Sequence, residues 1–427
     1  MADVKTTPKS SQELMELENR YGAHNYHPLP VVLDRGEGVY VWDIEGKRYY
    51  DFLSSYSAVN QGHCHPRIIK ALQEQAEQIT LTSRAFYNSK LGPFDEYVTQ
   101  YFGFDKVLPM NSGAEAVETA IKLCRKYAQE KLHIPEHKTK IVVADGNFHG
   151  RTTTIISFSN DEEAREGYGP YTPGFIHVPY NDKEALAQAM QQEGVAGFLV
   201  EPIQGEAGVV TPDEQYLREA KRLCQKNNAL LLTDEIQTGI GRTGSLLASC
   251  GPCTCQGECE RQPETYVRPD ILILGKALSG GVYPVSAILA DDAIMNVIQP
   301  GQHGSTFGGN PLGVQVAMAA LDVIREENLT QNARRLGEIF RAELMAYKEN
   351  SQILARVRGR GLLNAIVIND SPDSDTAWRV CLRLRDNGLL AKPTHGNIIR
   401  FAPPLVMTEV QLYDCVNIIK QTLQEFE

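Results

Sequence analysis

The sequence lacks any apolar run near the ~20 residues needed to cross a bilayer. Its longest apolar stretches, such as 229–232 and 271–274, have the length of strands. It also lacks a basic block. Lys plus Arg number 42 against 53 for Asp plus Glu, giving a formal net charge of −11. A chain of that balance is a poor binder of phosphate backbones, so neither nucleic acid nor a membrane is an expected partner. The first residues carry no apolar core of a signal peptide. The first arginine is Arg20, and Asp3, Glu13, Glu16 and Glu18 precede it, whereas a transit peptide is rich in Arg and poor in acids. The expectation is an unprocessed, cytoplasmic protein. Repeats and low-complexity tracts are also missing. What remains is a chain of 427 residues, 42% hydrophobic and 22% charged, which is the composition of a globular protein with a large core.

Residues 36–53 read as a hairpin turning at Glu45-Gly46. From about residue 106, short apolar runs alternate with longer amphipathic segments. The expected strands are 141–144, 197–201, 230–234, 271–274 and 285–290, and the clearest helices are 114–130, 183–193 and 214–227. Such alternation predicts an α/β fold with a mostly parallel sheet covered on both faces. A further helix over 311–326 leads into a stretch of separate α+β character. The expected division is an N-terminal segment with its hairpin (1–56), a large sheet domain (57–325) and a smaller C-terminal domain (326–427). Ligands of such sheets gather at the carboxyl ends of strands, so 147–151, 201–206, 234–237 and 275–276 should share one edge.

Two glycine motifs are misleading. Gly239-Ile240-Gly241-Arg242-Thr243-Gly244 matches a dinucleotide fingerprint, but no helical pattern opens on it. Gly275-Lys276-Ala277 lacks the glycine loop of a phosphate-binding Walker motif. Ser112-Gly113-Ala114-Glu115 fits a capping box and, taken alone, reads as an ordinary helix start. It could also seat a phosphate on free N–H groups at the positive end of the helix. Ser305 and Thr306, in a stretch of small residues, could lend hydroxyls to the same anion. Asp234 and Lys276 each end an apolar strand. Singly, they read as a turn residue and a solvated head. Together beside a phosphate seat they suggest one cofactor, because a lysine amine condenses with an aldehyde and an aspartate keeps a pyridine nitrogen protonated.

Asn147-Phe148-His149-Gly150-Arg151-Thr152, Glu201-Pro202-Ile203-Gln204-Gly205-Glu206, Asp234-Glu235-Ile236-Gln237 and Gly275-Lys276-Ala277-Leu278 closely resemble the class III aminotransferases. The likeness runs from about residue 20 to the end. Within that class, the segments 21–26, 54–62 and 397–404 are most similar to the ornithine aminotransferases. The resemblance implies fold type I, the aspartate-aminotransferase fold, with pyridoxal 5'-phosphate as cofactor in the large domain. It implies that Lys276 bonds the cofactor and moves the proton, and that Asp234 pairs with the ring nitrogen. Phe148 would stack on the ring and Gln237 would bond its hydroxyl. Ser112, Gly113, Ala114, Ser305 and Thr306 would serve the phosphate, with Thr306 coming from a neighbouring subunit of at least a dimer. On the substrate side, Arg151 would clamp the ornithine carboxylate, while Tyr26 and Tyr56 would hold the head of a free amino acid. Arg400 would take the second carboxylate of 2-oxoglutarate, and Glu206 would mask it when ornithine binds. Acetylornithine and 4-aminobutyrate are the competing substrates within the class.

Cys250, Cys253, Cys255 and Cys259 sit in an apparent insertion, residues 249–266, where this sequence departs from the family. Their spacing is one residue short of an iron–sulfur pattern and too tight for paired zinc knuckles. A loop of reactive thiols open to a thioredoxin-like partner is the expectation. His63-Cys64-His65 offers two imidazoles but no third and fourth metal ligand, and is read as a turn.

Overall fold

The structure, a computed structural model, describes residues 10–251 and 265–427. Seven strands form the large sheet: β1 (Lys106–Met110), β2 (Lys140–Ala144), β3 (Phe175–Val178), β4 (Val195–Val200), β5 (Leu230–Asp234), β6 (Ile271–Leu274) and β7 (Ser286–Ala290). Their order is β1-β7-β6-β5-β4-β2-β3. β7 runs antiparallel to both neighbours, and the other four pairings are parallel. Strands β4 to β7 are buried along their whole length.

Alternation along the strands explains why these runs are apolar throughout. Ile141, Val143, Leu199, Leu232 and Ile273 face one side and pack on helix α1 (Gly113–Lys131) through Ala116, Ala120, Ile121 and Cys124. Val142, Phe198, Val200 and Leu231 face the other side, against helices Lys183–Met190 and Tyr216–Lys226. The interior strands lie within two residues of their expected bounds. The two that the sequence pattern does not single out, β1 and β3, are the sheet's edges, short and only partly buried.

Helix α2 (Pro311–Glu326) carries the chain to a second layer. There an antiparallel sheet, in the order Leu354–Arg360, Leu363–Ile368, Ile398–Phe401 and Lys392–Thr394, packs with helices Leu329–Lys348, Thr376–Asp386 and Glu409–Gln424. The N-terminal hairpin is tied to this region, because Arg48–Asp51 pairs in parallel with Leu389–Leu390. The chain therefore has the fold type I architecture, a mostly parallel seven-stranded sheet followed by a smaller α+β unit.

The glycine-rich segment after β5 is a buried loop in which Ile240, Gly241 and Gly244 are left-handed, and no α-helix opens on it. His63 and His65 turn to different carboxylates, Asp51 and Glu327. Among the described residues, no helix is long and apolar enough to cross a membrane.

Candidate active site

The carboxyl ends of β4, β5 and β6 meet at a common floor. Asp234, the last residue of β5, is buried. One of its oxygens lies 2.7 Å from His149 Nδ1, and the other accepts from the Ile236 amide at 3.0 Å. Burial pushes the His149 pKa down, but the bond to Asp234 and its charge outweigh burial, so the net direction is upward. Asp234 is thus held in one orientation by the His149 imidazole. Glu201, just past β4, accepts from the Phe148 amide at 3.0 Å. Burial pushes its carboxyl up to about 7, with Asp234 adding to the shift and His149 opposing it. Lys276 follows β6 at φ +41, a left-handed conformation that a side-chain-bearing residue keeps only when its surroundings impose it. Burial lowers the pKa of its amine. Glu206, Asp234 and Glu201 pull upward, and Arg400 pushes down.

Beside Lys276, α1 begins with a full capping box: Ser112 accepts from the Glu115 amide, and Glu115 accepts from the Ser112 amide. This box uses the third N–H of the helix. Helix geometry leaves those of Gly113 and Ala114 without intrahelical acceptors, as an anion seat requires. A Cβ on Gly113 would stand 3.0 Å from Ile236 Cδ1, so the approach is kept narrow. A cleft of about 340 Å³ runs between Lys276, Asn111, Ser112, Gly113, Ser55 and Tyr283. Ser305 is drawn to its rim, where Ser305 Oγ accepts from Asn111 Nδ2 at 2.8 Å. Thr306 is exposed.

The substrate side is a buried charged cluster. Arg400 Nη1, on the strand Ile398–Phe401, donates to Glu206 Oε1 at 2.8 Å, to Gln237 Oε1 at 3.2 Å and to the Gly205 carbonyl at 3.2 Å. Gln237 Nε2 completes a triangle by donating to the same Glu206 oxygen at 2.8 Å. Gln237, expected beside the cofactor hydroxyl, therefore lends its amide to the Glu206–Arg400 pair. Burial pushes the Glu206 carboxyl up, but Arg400 and Lys276 more than reverse this, and the net direction is downward. Tyr56 bridges the two halves of the site. Its ring centre lies 4.9 Å from the Arg400 guanidinium carbon and 6.0 Å from the Lys276 amine. It stands on a left-handed turn, Ser54–Ser57, with φ between +46 and +75. Burial raises the Tyr56 hydroxyl pKa, with the charge of Glu206 and the Tyr26 hydroxyl adding to the shift and Arg400 and Arg151 opposing it. Arg151 lies over the Phe148 ring at 6.0 Å.

The residues fit pyridoxal phosphate as a set: an amine of lowered pKa, a buried carboxylate for a ring cation, a half-exposed aromatic face at Phe148 and an anion seat. His149 and Glu201 belong to this set, although neither was assigned a role from the sequence. The only signal was their place in motifs at strand ends.

A family model, aminotransferase class-III, matches residues 21–423. This chain belongs to that family. It is a pyridoxal-phosphate-dependent aminotransferase. The mitochondrial ornithine aminotransferase of Rattus norvegicus is 56% identical over 419 residues, covering 98% of this chain and 92% of that protein. An acetylornithine aminotransferase from Elizabethkingia anophelis has a crystal structure that superposes with a TM-score of 0.89 at 61% identity. The match covers 98% of this chain and all of that one. The ornithine aminotransferase of Toxoplasma gondii, whose structure has partial occupancy of pyridoxal phosphate at the active site, gives a TM-score of 0.93 at 45% identity. That match covers 98% of this chain and 95% of the other.

Proposed function

We propose that the enzyme is an ornithine δ-aminotransferase, moving the terminal amine of L-ornithine to 2-oxoglutarate to give glutamate 5-semialdehyde, which cyclises, and L-glutamate. The observation that carries this reading is the pair formed at 2.8 Å by buried Arg400 and half-buried Glu206, capped by Tyr56. A site for both substrates must offer one cation to an amino acid with an amine at each end, and two cations to a dicarboxylate. Arg151 suits the carboxylate common to both. Arg400 suits the second carboxylate of 2-oxoglutarate, and Glu206 neutralises Arg400 when the substrate brings none. Tyr26 and Tyr56 offer hydroxyls to the α-amine, so the terminal amine is the one directed to the floor of the cleft.

When bound, pyridoxal phosphate supplies an aldehyde for amine exchange and a ring that takes up electrons. Lys276, with its lowered pKa, would hold the cofactor through its amine and would serve as the base that moves a proton. Asp234, steadied by His149, holds the ring nitrogen in its charged form. Phe148 would cover one face of the ring, and Gln237 stands in the Glu206–Arg400 cluster. Ser112, Gly113 and Ala114 would seat the phosphate, with Ser305 at the rim of the cleft and Thr306 reaching it from the neighbouring subunit.

Acetylornithine is a second reading, favoured by the 61% identity of the Elizabethkingia enzyme. The two separate in a single-turnover assay of ornithine, acetylornithine and 4-aminobutyrate, followed by cofactor absorbance. Ornithine should react fastest, by a factor of ~10 or more in kcat/KM. A preference for acetylornithine would overturn the assignment.

The working unit in this reading is a homodimer. Phe86, Tyr87 and Phe307 are exposed on segments that meet where Gly309 approaches Leu91 and Arg84, an apolar surface suited to a second copy. The division at 325 is supported by the separate sheets on either side of α2. A cytoplasmic location stays a proposal beside relatives named as mitochondrial. It draws support from Cys64, Cys124, Cys224, Cys381 and Cys415, all free thiols. Of the cluster expected to be open to a thioredoxin-like partner, Cys250 departs from that expectation because it is packed in the core, and Cys253, Cys255 and Cys259 lie outside the described residues. Replacing all four by Ser should leave turnover of the reduced enzyme intact and shrink any response to oxidant. An unchanged oxidant response would remove the cluster from regulation.

A further inference from the structure

Ser305 and Thr306 sit on an irregular segment between Gln299 and Asn310, and a second attachment holds that segment to α1. His303 Nε2 is 2.8 Å from Thr119 Oγ1, and His303 Nδ1 is 2.8 Å from the Lys122 ammonium nitrogen. The hydrogen positions follow from the partners. Thr119 gives its only hydroxyl hydrogen to the Glu115 carbonyl at 2.6 Å, so it must accept from His303 Nε2. The ammonium can only donate, so His303 Nδ1 must accept. The ring is therefore the neutral Nε2–H tautomer with both nitrogens in use. A proton on Nδ1 would set an N–H against an ammonium and remove the acceptor.

We propose that neutral His303 is a positioning residue that fastens the Ser305–Thr306 segment to α1 of its own chain, so that protonating this one imidazole loosens the cofactor that Thr306 reaches in the neighbouring subunit. The proposal rests on the reading of Thr306 as a phosphate ligand. It is local to α1: Glu115 takes Asn111 and Ser112 at its carboxylate, Asn111 holds Ser305, and the Glu115 carbonyl takes Thr119, which holds His303. One acidic residue thus anchors the phosphate seat and both attachments of the facing segment.

The charged groups around the imidazole favour its neutral form. Burial lowers the His303 pKa, Lys122 lowers it further, and Glu115 alone opposes them. Arg125 and Lys126 from α1, with Glu136 and His137 from the segment after it, line the same cavity of about 440 Å³. Because the folded pKa lies below the ordinary value, the attachment is complete above about pH 6.5 and is lost as pH falls below it.

The test is the rate of cofactor release from the holoenzyme on dilution, read by absorbance and independent of turnover. In the wild type, release should be slow at about pH 7.5 and accelerate only as pH falls below about 6.5. In His303→Gln, whose amide can both donate and accept without titrating, the rate should be close to wild type at the higher pH and flat across the range. His303→Ala should release ~10-fold faster at both pH values, having lost one neutral and one charged hydrogen bond. If the Ala variant does not fold, the Gln profile decides. A Gln profile as steep as wild type, or an Ala variant with wild-type release, overturns the proposal. Thr306→Ala separates the two ideas. Unaltered release there refutes the phosphate role of Thr306, whereas fast release in Thr306→Ala with normal release in His303→Ala refutes only the attachment.

Discussion

Glu206 touches Arg400 and Gln237 through a single oxygen, so removing its carboxylate changes the charge offered to substrate without opening the floor of the cleft. In Glu206→Ala the Arg400 guanidinium is unmasked, and donors with two carboxylates gain. The single-turnover ratio of glutamate to ornithine should rise ~10-fold or more, the scale of one charged hydrogen bond. An unchanged ratio would reduce the pair to a structural one. Arg151→Lys should instead impair ornithine and 2-oxoglutarate alike, by ~10-fold each, because a point charge replaces a planar fork. A loss confined to one substrate would contradict a shared clamp. Glu201 gives a residue-level test by pH. Its folded carboxyl titrates at about 7, above the ordinary 4.5. Across that window the folded state holds a proton that the unfolded chain has lost, so the contribution of Glu201 to stability falls as pH rises. Glu201→Gln should therefore gain stability relative to wild type from about pH 5 to about pH 8, as read by denaturant melts, and parallel profiles would refute the assignment. Asp234 and Lys276 were legible because each ends an apolar strand beside a phosphate seat, whereas the roles of Glu206 and Arg400 were legible only through the resemblance to the family. His149 was not, since its function is to brace another side chain, and bracing partners are set by packing rather than by spacing.

At the level of elements, legibility followed burial. β4, β5 and β6 are covered on both faces and read as unbroken apolar runs, while the edge strands β1 and β3 carry Lys106, Pro109 and His177 and do not. The turn Ser54–Ser57 has no sequence signal at all. Four non-glycine residues are left-handed there because Asp51 takes the Leu53 and Ser54 amides and the Phe52 carbonyl is held by the Ala402 amide. Context from residue 402, far away in the chain, imposes a conformation that local preference opposes. The start of α1 is the reverse case, written in four residues and found as written. Ser112→Ala removes its cap, which should cost ~1 kcal/mol of stability. It should also weaken retention of the cofactor phosphate, since the first turn loses its fixed entry angle. Thermal melts of the cofactor-free and loaded protein separate the effects, and an equal shift in both would mean that the cap serves the helix alone.

Across the whole molecule, one side chain joins parts that are far apart in sequence. Arg242 is fully buried on the glycine-rich loop after β5. Its guanidinium donates to Asn60 Oδ1 from Nε at 3.1 Å and from Nη2 at 2.5 Å. Nη1 reaches the Leu362 carbonyl at 3.0 Å and the Pro403 carbonyl at 2.6 Å. These acceptors belong to the segment after the Tyr56 turn and to the two ends of the C-terminal sheet that carries Arg400. None is a carboxylate, so burial lowers the Arg242 pKa to about 9, with Arg400 adding to the fall and Asp51 opposing it. The arrangement is costly in charge and rich in geometry: it sets where Arg400 and Tyr56 stand relative to the floor of the cleft. Arg242→Met keeps most of the volume but leaves three buried oxygens without their donors. At ~1–3 kcal/mol for each unsatisfied group, a loss of several kcal/mol is expected in denaturant unfolding. Arg242→Lys restores the charge but not the fork, and should recover only part of that loss. In the Lys variant, KM for 2-oxoglutarate should rise more than KM for ornithine, because Arg400 is needed by the dicarboxylate alone. Equal changes in the two would make Arg242 a pillar of the fold with no hold on specificity.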